Sequence, residues 1–413
     1  MSITLNNIKY NNHEVPILFD KFDKLPIFNL QLVFKNSGYI NDTNLSGLTN
    51  ISTKMLNEGT LKEGAVKFAS KLENNAIEID ANIGLETVVI EISCLSEQYT
   101  KAMKYLKQLL KNPNISQETL DKIKNITLSK LAQKQDDFDF IASSNLKSAI
   151  YKDTALKNSS IGNKDDILKI SIDDVKQRLH EILNINNLIV VSGGNINKDT
   201  LQNDLINIFK YLDTTAINNE ISKININKDA KSISVKKDTE QSYIYFAAPL
   251  DINFDSKELY KAKVASFILG SSGFGSRLME EIRVKNGLAY SVYGYFTYKK
   301  SHSNFTGYLQ TEIKNTKKAQ DMVIKIVDEF ISNGVTKEEL DSAKLFLSGS
   351  EPLRTETFSQ RLSKAFNLYY KNLPFDYTKK ELENINNLTL EELNSFIKQH
   401  TEISKLTFSI VTK

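Results

Sequence analysis

The pattern of apolar periodicities predicts an α+β fold of two duplicated domains, each a mainly antiparallel sheet covered by helices. Three observations carry this. Alternating strand patterns are followed by long amphipathic helices, the same order of elements restarts after residue 230, and one ten-residue segment has a counterpart in each half. With 413 residues, 40% of them apolar and 25% charged, the chain has enough material for more than one globular core.

The first strands are Val15-Pro-Ile-Leu-Phe19 and Phe28-Asn-Leu-Gln-Leu-Val-Phe34. A helix is predicted from about Thr43 to Asn57, with Leu45, Leu48, Ile51 and Met55 as its buried stripe and Glu58-Gly59-Thr60 as its stop. Next come a helix over Gly64 to Asn74, strands from Ile77 to Leu95, and a long amphipathic helix from about Glu97 to Lys111 that ends at Asn112-Pro113. A helix over Gln117 to Asp136, a helical stretch to about Leu183, the strand Leu188 to Gly194 and a helix near Thr200 to Tyr211 close the first half. Between Thr214 and Ala230 no apolar face is sustained, which reads as a linker and divides the chain into 1–213, 214–230 and 231–413. The plan then repeats: a strand at Tyr243 to Ala248, helices over Ser256 to Leu269 and Arg277 to Lys285, strands over Ala289 to Tyr298 and Asn304 to Ile313, and a long helix over Lys317 to Asn333. Ile115-Ser-Gln-Glu-Thr-Leu-Asp-Lys-Ile-Lys124 aligns with Val335-Thr-Lys-Glu-Glu-Leu-Asp-Ser-Ala-Lys344. Each follows a long helix and a break, and each opens on a hydroxyl N-cap.

Composition narrows the function classes. Fifty-three basic against fifty acidic residues leave a net charge of +3, with no electrostatic footprint for nucleic acid. The first residues lack a charged segment followed by an apolar one, and no apolar run is long enough to span a bilayer, so a cytoplasmic protein without a membrane partner is expected. Cys94 is the lone cysteine and sits in the apolar strand Val88–Leu95, where a small core hydrophobe is the expected role. His13, His180, His302 and His400 share no ligand spacing, which argues against a zinc enzyme in its own right.

The segment richest in signal is Gly270-Ser-Ser-Gly-Phe-Gly-Ser-Arg-Leu-Met-Glu-Glu-Ile-Arg-Val-Lys-Asn-Gly-Leu-Ala-Tyr-Ser-Val292. A glycine-rich turn feeds a helix, Asn286-Gly287 stops it, and a strand follows. The Lys-Ser/Thr of a phosphate-binding loop and the strand context of a dinucleotide fingerprint are absent, so nucleotide binding is not supported. Arg283 falls in the last helical turn and Tyr290 near the start of the strand. On spacing alone, Arg283 reads as a cation at the negative end of its helix and Tyr290 as a half-buried strand aromatic.

Ser276 to Val292 resembles the C-terminal-domain signature of the insulinase/pitrilysin family of zinc metallopeptidases, in its mitochondrial-processing-peptidase-like branch. The resemblance implies that Arg283 and Tyr290 reach toward a substrate carbonyl held at a zinc ion on another domain or subunit. A guanidinium and a phenol can both donate to an oxygen that gains charge. The family's N-terminal motif, Gly-x-x-His-x-x-Glu-His-x-x-x-x-Gly-Thr, has its counterpart in Gly47-Leu-Thr-Asn-Ile-Ser-Thr-Lys-Met-Leu-Asn-Glu-Gly-Thr60. There Asn50 and Lys54 stand at the histidine positions and Thr53 at that of the general base. The third ligand position, a glutamate in the family, falls on Lys130. By helical angle Lys130 lies beside Ile123 and Ile126, where it would snorkel or find a buried acceptor.

A lysine ammonium has no lone pair to offer and repels a cation, so the chain is expected to bind no cofactor itself, the zinc residing in a partner. The resemblance implies a chain forming half of a clamshell: the non-catalytic subunit of a two-subunit zinc metalloendopeptidase, inactive alone. Its partner would be a homologous zinc-motif-bearing subunit and its substrate an unfolded peptide. The alternatives are an inert scaffold and a peptide-binding homodimer.

Overall fold

The computed structural model describes residues 3–216 and 220–413, so Met1, Ser2 and part of the predicted linker lie outside the described residues. The first half of the chain runs β1 (Ile3–Tyr10), β2 (His13–Lys21), β3 (Ile27–Lys35), α1 (Leu48–Leu56), α2 (Gly64–Glu73), β4 (Ile77–Ile83), β5 (Thr87–Leu95), α3 (Tyr99–Lys111), α4 (Gln117–Gln133), α5 (Phe138–Ile150), α6 (Lys164–Lys169), α7 (Ile172–Ile182), β6 (Leu188–Gly194) and α8 (Lys198–Phe209). The second runs β7 (Ile233–Lys236), β8 (Gln241–Pro249), α9 (Leu259–Ser266), β9 (Ala289–Tyr298), β10 (Ser303–Glu312), α10 (Thr316–Asn333), α11 (Lys337–Ser350), α12 (Phe358–Tyr370), α13 (Tyr377–Asn387), α14 (Leu390–Gln399) and β11 (Thr407–Thr412).

Among the described residues the strands form two sheets, ordered β1-β2-β6-β3-β5-β4 and β7-β11-β8-β10-β9. The likeness of the halves is exact in topology. Each sheet has one parallel pair, β2 with β6 and β7 with β11, next to a run of antiparallel neighbours; β1 is an addition to the first sheet. The segments Ile115–Lys124 and Val335–Lys344 open α4 and α11, each after a long helix. Ser116 Oγ accepts from the Thr119 N–H, and Thr336 with Glu339 closes a reciprocal capping box. The fold is thus the predicted α+β duplication.

Strand alternation explains why each sheet buries one face. In β5 the residues Val88, Ile90, Ile92 and Cys94 point into the first core with Phe28, Leu30, Leu32 and Phe34 of β3, under α1, α3 and α8. Cys94 is the core hydrophobe expected of it, and burial pushes its thiol up to about 11. In the second sheet Ile244, Phe246, Phe305, Leu309 and Val292 pack under α9, α10 and α14. No helix among the described residues is long and apolar enough to cross a membrane.

The two compact units do not follow chain order. The first comprises residues 1–132, 158–221 and 354–370; the second comprises 133–157, 222–353 and 371–413. A division at 1–213 and 231–413 therefore cuts across both. Helix α5 belongs to the second unit, packing on β8 and β11, while α12 belongs to the first, packing on β2 and β6. The exchange is reciprocal. Residues Ala142, Leu146 and Ile150 of α5 and Leu362, Ala365 and Leu368 of α12 are buried against the sheet face opposite the other helices. The stretch read as helical to Leu183 is consequently three helices, because its parts serve two cores.

Candidate functional site

In the first unit, α1 carries the degenerate motif. It begins at Leu48, not Thr43, because Gly47 has φ +93°, a conformation that a helix cannot contain. A Cβ at Gly47 would lie 2.8 Å from Ile167 Cδ1 and 2.9 Å from the Ile161 carbonyl, so glycine is required there on two grounds. The buried Asp42 carboxylate accepts the N–H groups of Gly47 and Thr49 and the Thr49 hydroxyl, supplying the acceptor that the free helix N-terminus lacks. Burial raises the Asp42 pKa, against the pull of these bonds and of Arg178. Arg178 in turn donates to Thr49 Oγ1 at 2.8 Å and to the Ser37 and Gly38 carbonyls. Neither Asp42 nor Arg178 stands out in the sequence, since their pairing spans more than 130 residues.

On this anchored helix Asn50, Thr53 and Lys54 share a face by i, i+3, i+4 spacing. Asn50 and Thr53 are buried and Lys54 is half-buried. Lys54 Nζ reaches Thr127 Oγ1 on α4 at 3.5 Å. Burial, and after it the charge of nearby Lys130, lower the Lys54 pKa. Three of the four degenerate positions, Asn50, Thr53 and Lys54, thus lie on α1 and the fourth, Lys130, one turn from Thr127 on α4, with Lys54 the residue that reaches across. The expected orientation of Lys130 needs correction. Ile126 is 41% exposed and Lys130 is exposed; the buried stripe of α4 is Leu120, Ile123 and Thr127, continued by Leu128 and Leu131, which leaves Lys130 at its edge.

Zinc does not fit this donor set. An amide, two hydroxyls and two ammonium groups include no imidazole, thiolate or carboxylate. Among the described residues no cluster of three or more His, Cys, Asp or Glu is poised to hold a metal. Restoring ligands tests the geometry: the quadruple variant Asn50→His, Thr53→Glu, Lys54→His, Lys130→Glu is expected to hold one zinc per chain by elemental analysis, and the parent none. A metal-free quadruple variant would show that the four positions do not converge on one point.

In the second unit, Arg283 and Tyr290 are brought together. The residues predicted as a helix over Arg277 to Lys285 wind as a π-helix at Met279–Lys285, a form that recurs at functional sites. Gly287 at φ +60° ends it: its N–H bonds the Arg283 carbonyl while the Leu288 N–H bonds that of Ile282, with Leu288 and Ile282 both in the core. Strand β9 then bulges. Leu309 pairs with Val292 and Thr311 with Ala289, so that Tyr290 and Ser291 face only Gln310, and the extra residue turns Tyr290 outward.

Tyr290 is 84% exposed, which corrects the reading of it as a half-buried strand aromatic. The Arg283 guanidinium lies 4.8 Å from the centroid of the Tyr290 ring and 4.8 Å from that of Phe274. Phe274, 70% exposed, is the residue that sequence reasoning missed. Its signal was an aromatic side chain between Gly273 and Gly275, whose φ values of +70° and +87° shape the loop that presents it. The guanidinium thus has two aromatic rings as neighbours, and among the described residues no carboxylate pairs with it. Arg277 fastens the same segment to α11 by donating to both Glu339 oxygens, at 2.6 and 2.7 Å, and to the Gly334 carbonyl.

Comparison with known proteins places these two sites in context. Residues 29–164 match the insulinase family (peptidase family M16), and residues 169–347 match the peptidase M16 inactive domain. The chain is 41% identical to the non-peptidase homolog YmxG of Helicobacter pylori, over 99% of this chain and 94% of that protein. The crystal structure of a peptidase M16 inactive domain from Pseudomonas fluorescens superposes with a TM-score of 0.89 over 99% of this chain and 98% of that one, at 23% identity. A protease from Helicobacter pylori superposes with a TM-score of 0.86 over all of both chains, at 14% identity. The last two likenesses establish the fold; the first, with the matched domains, establishes descent, and the chain belongs to the insulinase (M16) peptidase family, with no zinc-ligand set at its motif positions.

Proposed function

We propose that this chain is the non-catalytic subunit of a two-subunit zinc metalloendopeptidase of the processing-peptidase type, lending Arg283 and Tyr290 to a zinc-bearing homologue that cleaves unfolded peptides. The observation that carries this is the contrast between the units: the motif positions of α1 and α4 hold no metal ligand, yet Arg283, half-buried and without an acidic partner, is assembled with the exposed Tyr290. A guanidinium with two rings as neighbours has less freedom left to lose when it donates to a carbonyl oxygen that becomes negative in the tetrahedral intermediate. In the partner, zinc would polarise that carbonyl and activate the water. Helicobacter pylori holds both a relative of this chain named as a non-peptidase and a protease of the same fold, which supports pairing within one cell. A cytoplasmic setting belongs to the same proposal.

The test is a fluorogenic-peptide assay on the purified chain, on a zinc-motif homologue from the same organism, and on their mixture. Cleavage is expected from the mixture and not from this chain, which carries no zinc. Stable association without a gain in cleavage would favour a second reading, an inert scaffold or peptide-binding subunit, to which the name of the 41% identical relative gives weight.

A further inference from the structure

Lys54 and Lys130 are neighbouring cations in the first unit, and among the described residues neither has a carboxylate within ion-pair distance. Two partly buried lysines of the second unit, by contrast, are compensated: Lys261 pairs with Glu258 at 2.8 Å and Lys263 with Glu381 at 2.6 Å. Lys54 instead reaches only a hydroxyl, Thr127 Oγ1, at the long distance of 3.5 Å. Two like charges close together, one of them half-buried, are unfavourable unless an anion lies between them. The same face of α1 presents a second unfilled group. Thr53 is 2% exposed, and its Oγ1 is buried without a hydrogen-bond partner, at the position adjoining Lys54.

We infer that Lys54 and Lys130 form a site for a peptide carboxylate, either a C-terminal one or that of an acidic side chain, with the two ammonium groups donating to its oxygens. The site has the opposite charge logic to the family's. Where relatives with a zinc motif place a cation to draw in a carbonyl oxygen, this chain places fixed ammonium groups that hold an oxyanion and have no means to activate water. The choice of a peptide as bearer of the carboxylate rests on the proposed peptide-handling role; the anion site does not, and it is a property of this chain without any partner.

The experiment is a binding measurement on the full-length chain alone, by fluorescence anisotropy at low salt. The probes are a labelled octapeptide without acidic residues as its free acid, the same peptide as its C-terminal amide, and the amide with one internal glutamate. The free acid, the glutamate-bearing amide or both are expected to bind at least tenfold more tightly than the plain amide. Which of them does so identifies the source of the carboxylate. Lys54→Gln with Lys130→Gln is expected to erase the preference while leaving the fold intact by circular dichroism. Equal binding of acid and amide forms, a preference that survives the double lysine substitution, or binding of inorganic phosphate with no peptide bound would each overturn the inference. Because no cleavage is read, failure here is distinct from failure of the assisted-peptidase proposal, which the mixed assay decides.

Discussion

Replacing Arg283 with alanine is expected to lower cleavage by the mixed enzyme roughly 100- to 1,000-fold, the usual cost of losing one well-placed donor to a developing oxyanion. The expectation follows from geometry. The guanidinium lies 4.8 Å from the ring centroids of both Phe274 and Tyr290, so its freedom is limited before substrate arrives. The loss should fall mainly on kcat, because the interaction strengthens as charge develops on the oxygen. Tyr290→Phe keeps the ring that supports Arg283 and removes only the hydroxyl, so a smaller loss, about tenfold, is expected. An Arg283→Ala mixture that cleaves at the parental rate would remove the shared-site proposal, whatever the affinity between the subunits.

Arg361→Ala is expected to destabilise the first unit by roughly 2–3 kcal/mol, since it takes one hydrogen-bonded charge partner from a carboxylate held away from water. Asp20 on β2 is 1% exposed, and its Oδ2 accepts from Arg361 Nε at 2.9 Å. The same guanidinium lies 4.5 Å from the Phe22 centroid, and Phe22 stacks on Phe358 at 5.2 Å. These residues fasten α12 to its sheet. Arg361→Lys retains the charge without the planar stack and should recover part of the loss. The measurement is urea unfolding, accompanied by hydrogen exchange at the amides of β2 and β6, whose protection should fall together. A change below about 1 kcal/mol would mean that α12 is held chiefly by its apolar face.

What could be read from sequence and what could not divides along the range of the interactions. Strands β9 and β10 were legible almost to the residue, because alternation of buried and exposed positions is a local signal. So were α3 and α10, whose apolar faces are wide. Strand β1 was missed because only Ile8 is fully buried along its length. The exchange of α5 and α12 left no local trace: an amphipathic helix does not record which sheet it will cover. At the site, the positions of Asn50, Thr53, Lys54 and Lys130 came from the motif frame, but the partners of Lys54 and the exposure of Lys130 depend on how α4 meets α1. Phe274 was passed over because glycine-flanked aromatics carry no periodicity.

The exchanged helices also bear on biosynthesis. A ribosome that has released β6 and α8 has supplied every strand of the first sheet, yet the helix that closes its second face, with Arg361 and Phe358, lies some 150 residues downstream. At elongation rates of ~5–20 residues per second, that sheet waits roughly eight to thirty seconds with Leu18, Asp20 and Val191 uncovered. During the same interval α5 is already made but β11, one of the two strands it packs on, is not. Nascent chains of this protein thus carry two incompletely covered apolar surfaces through this interval, which ties the completion of each unit to segments made late in the polypeptide.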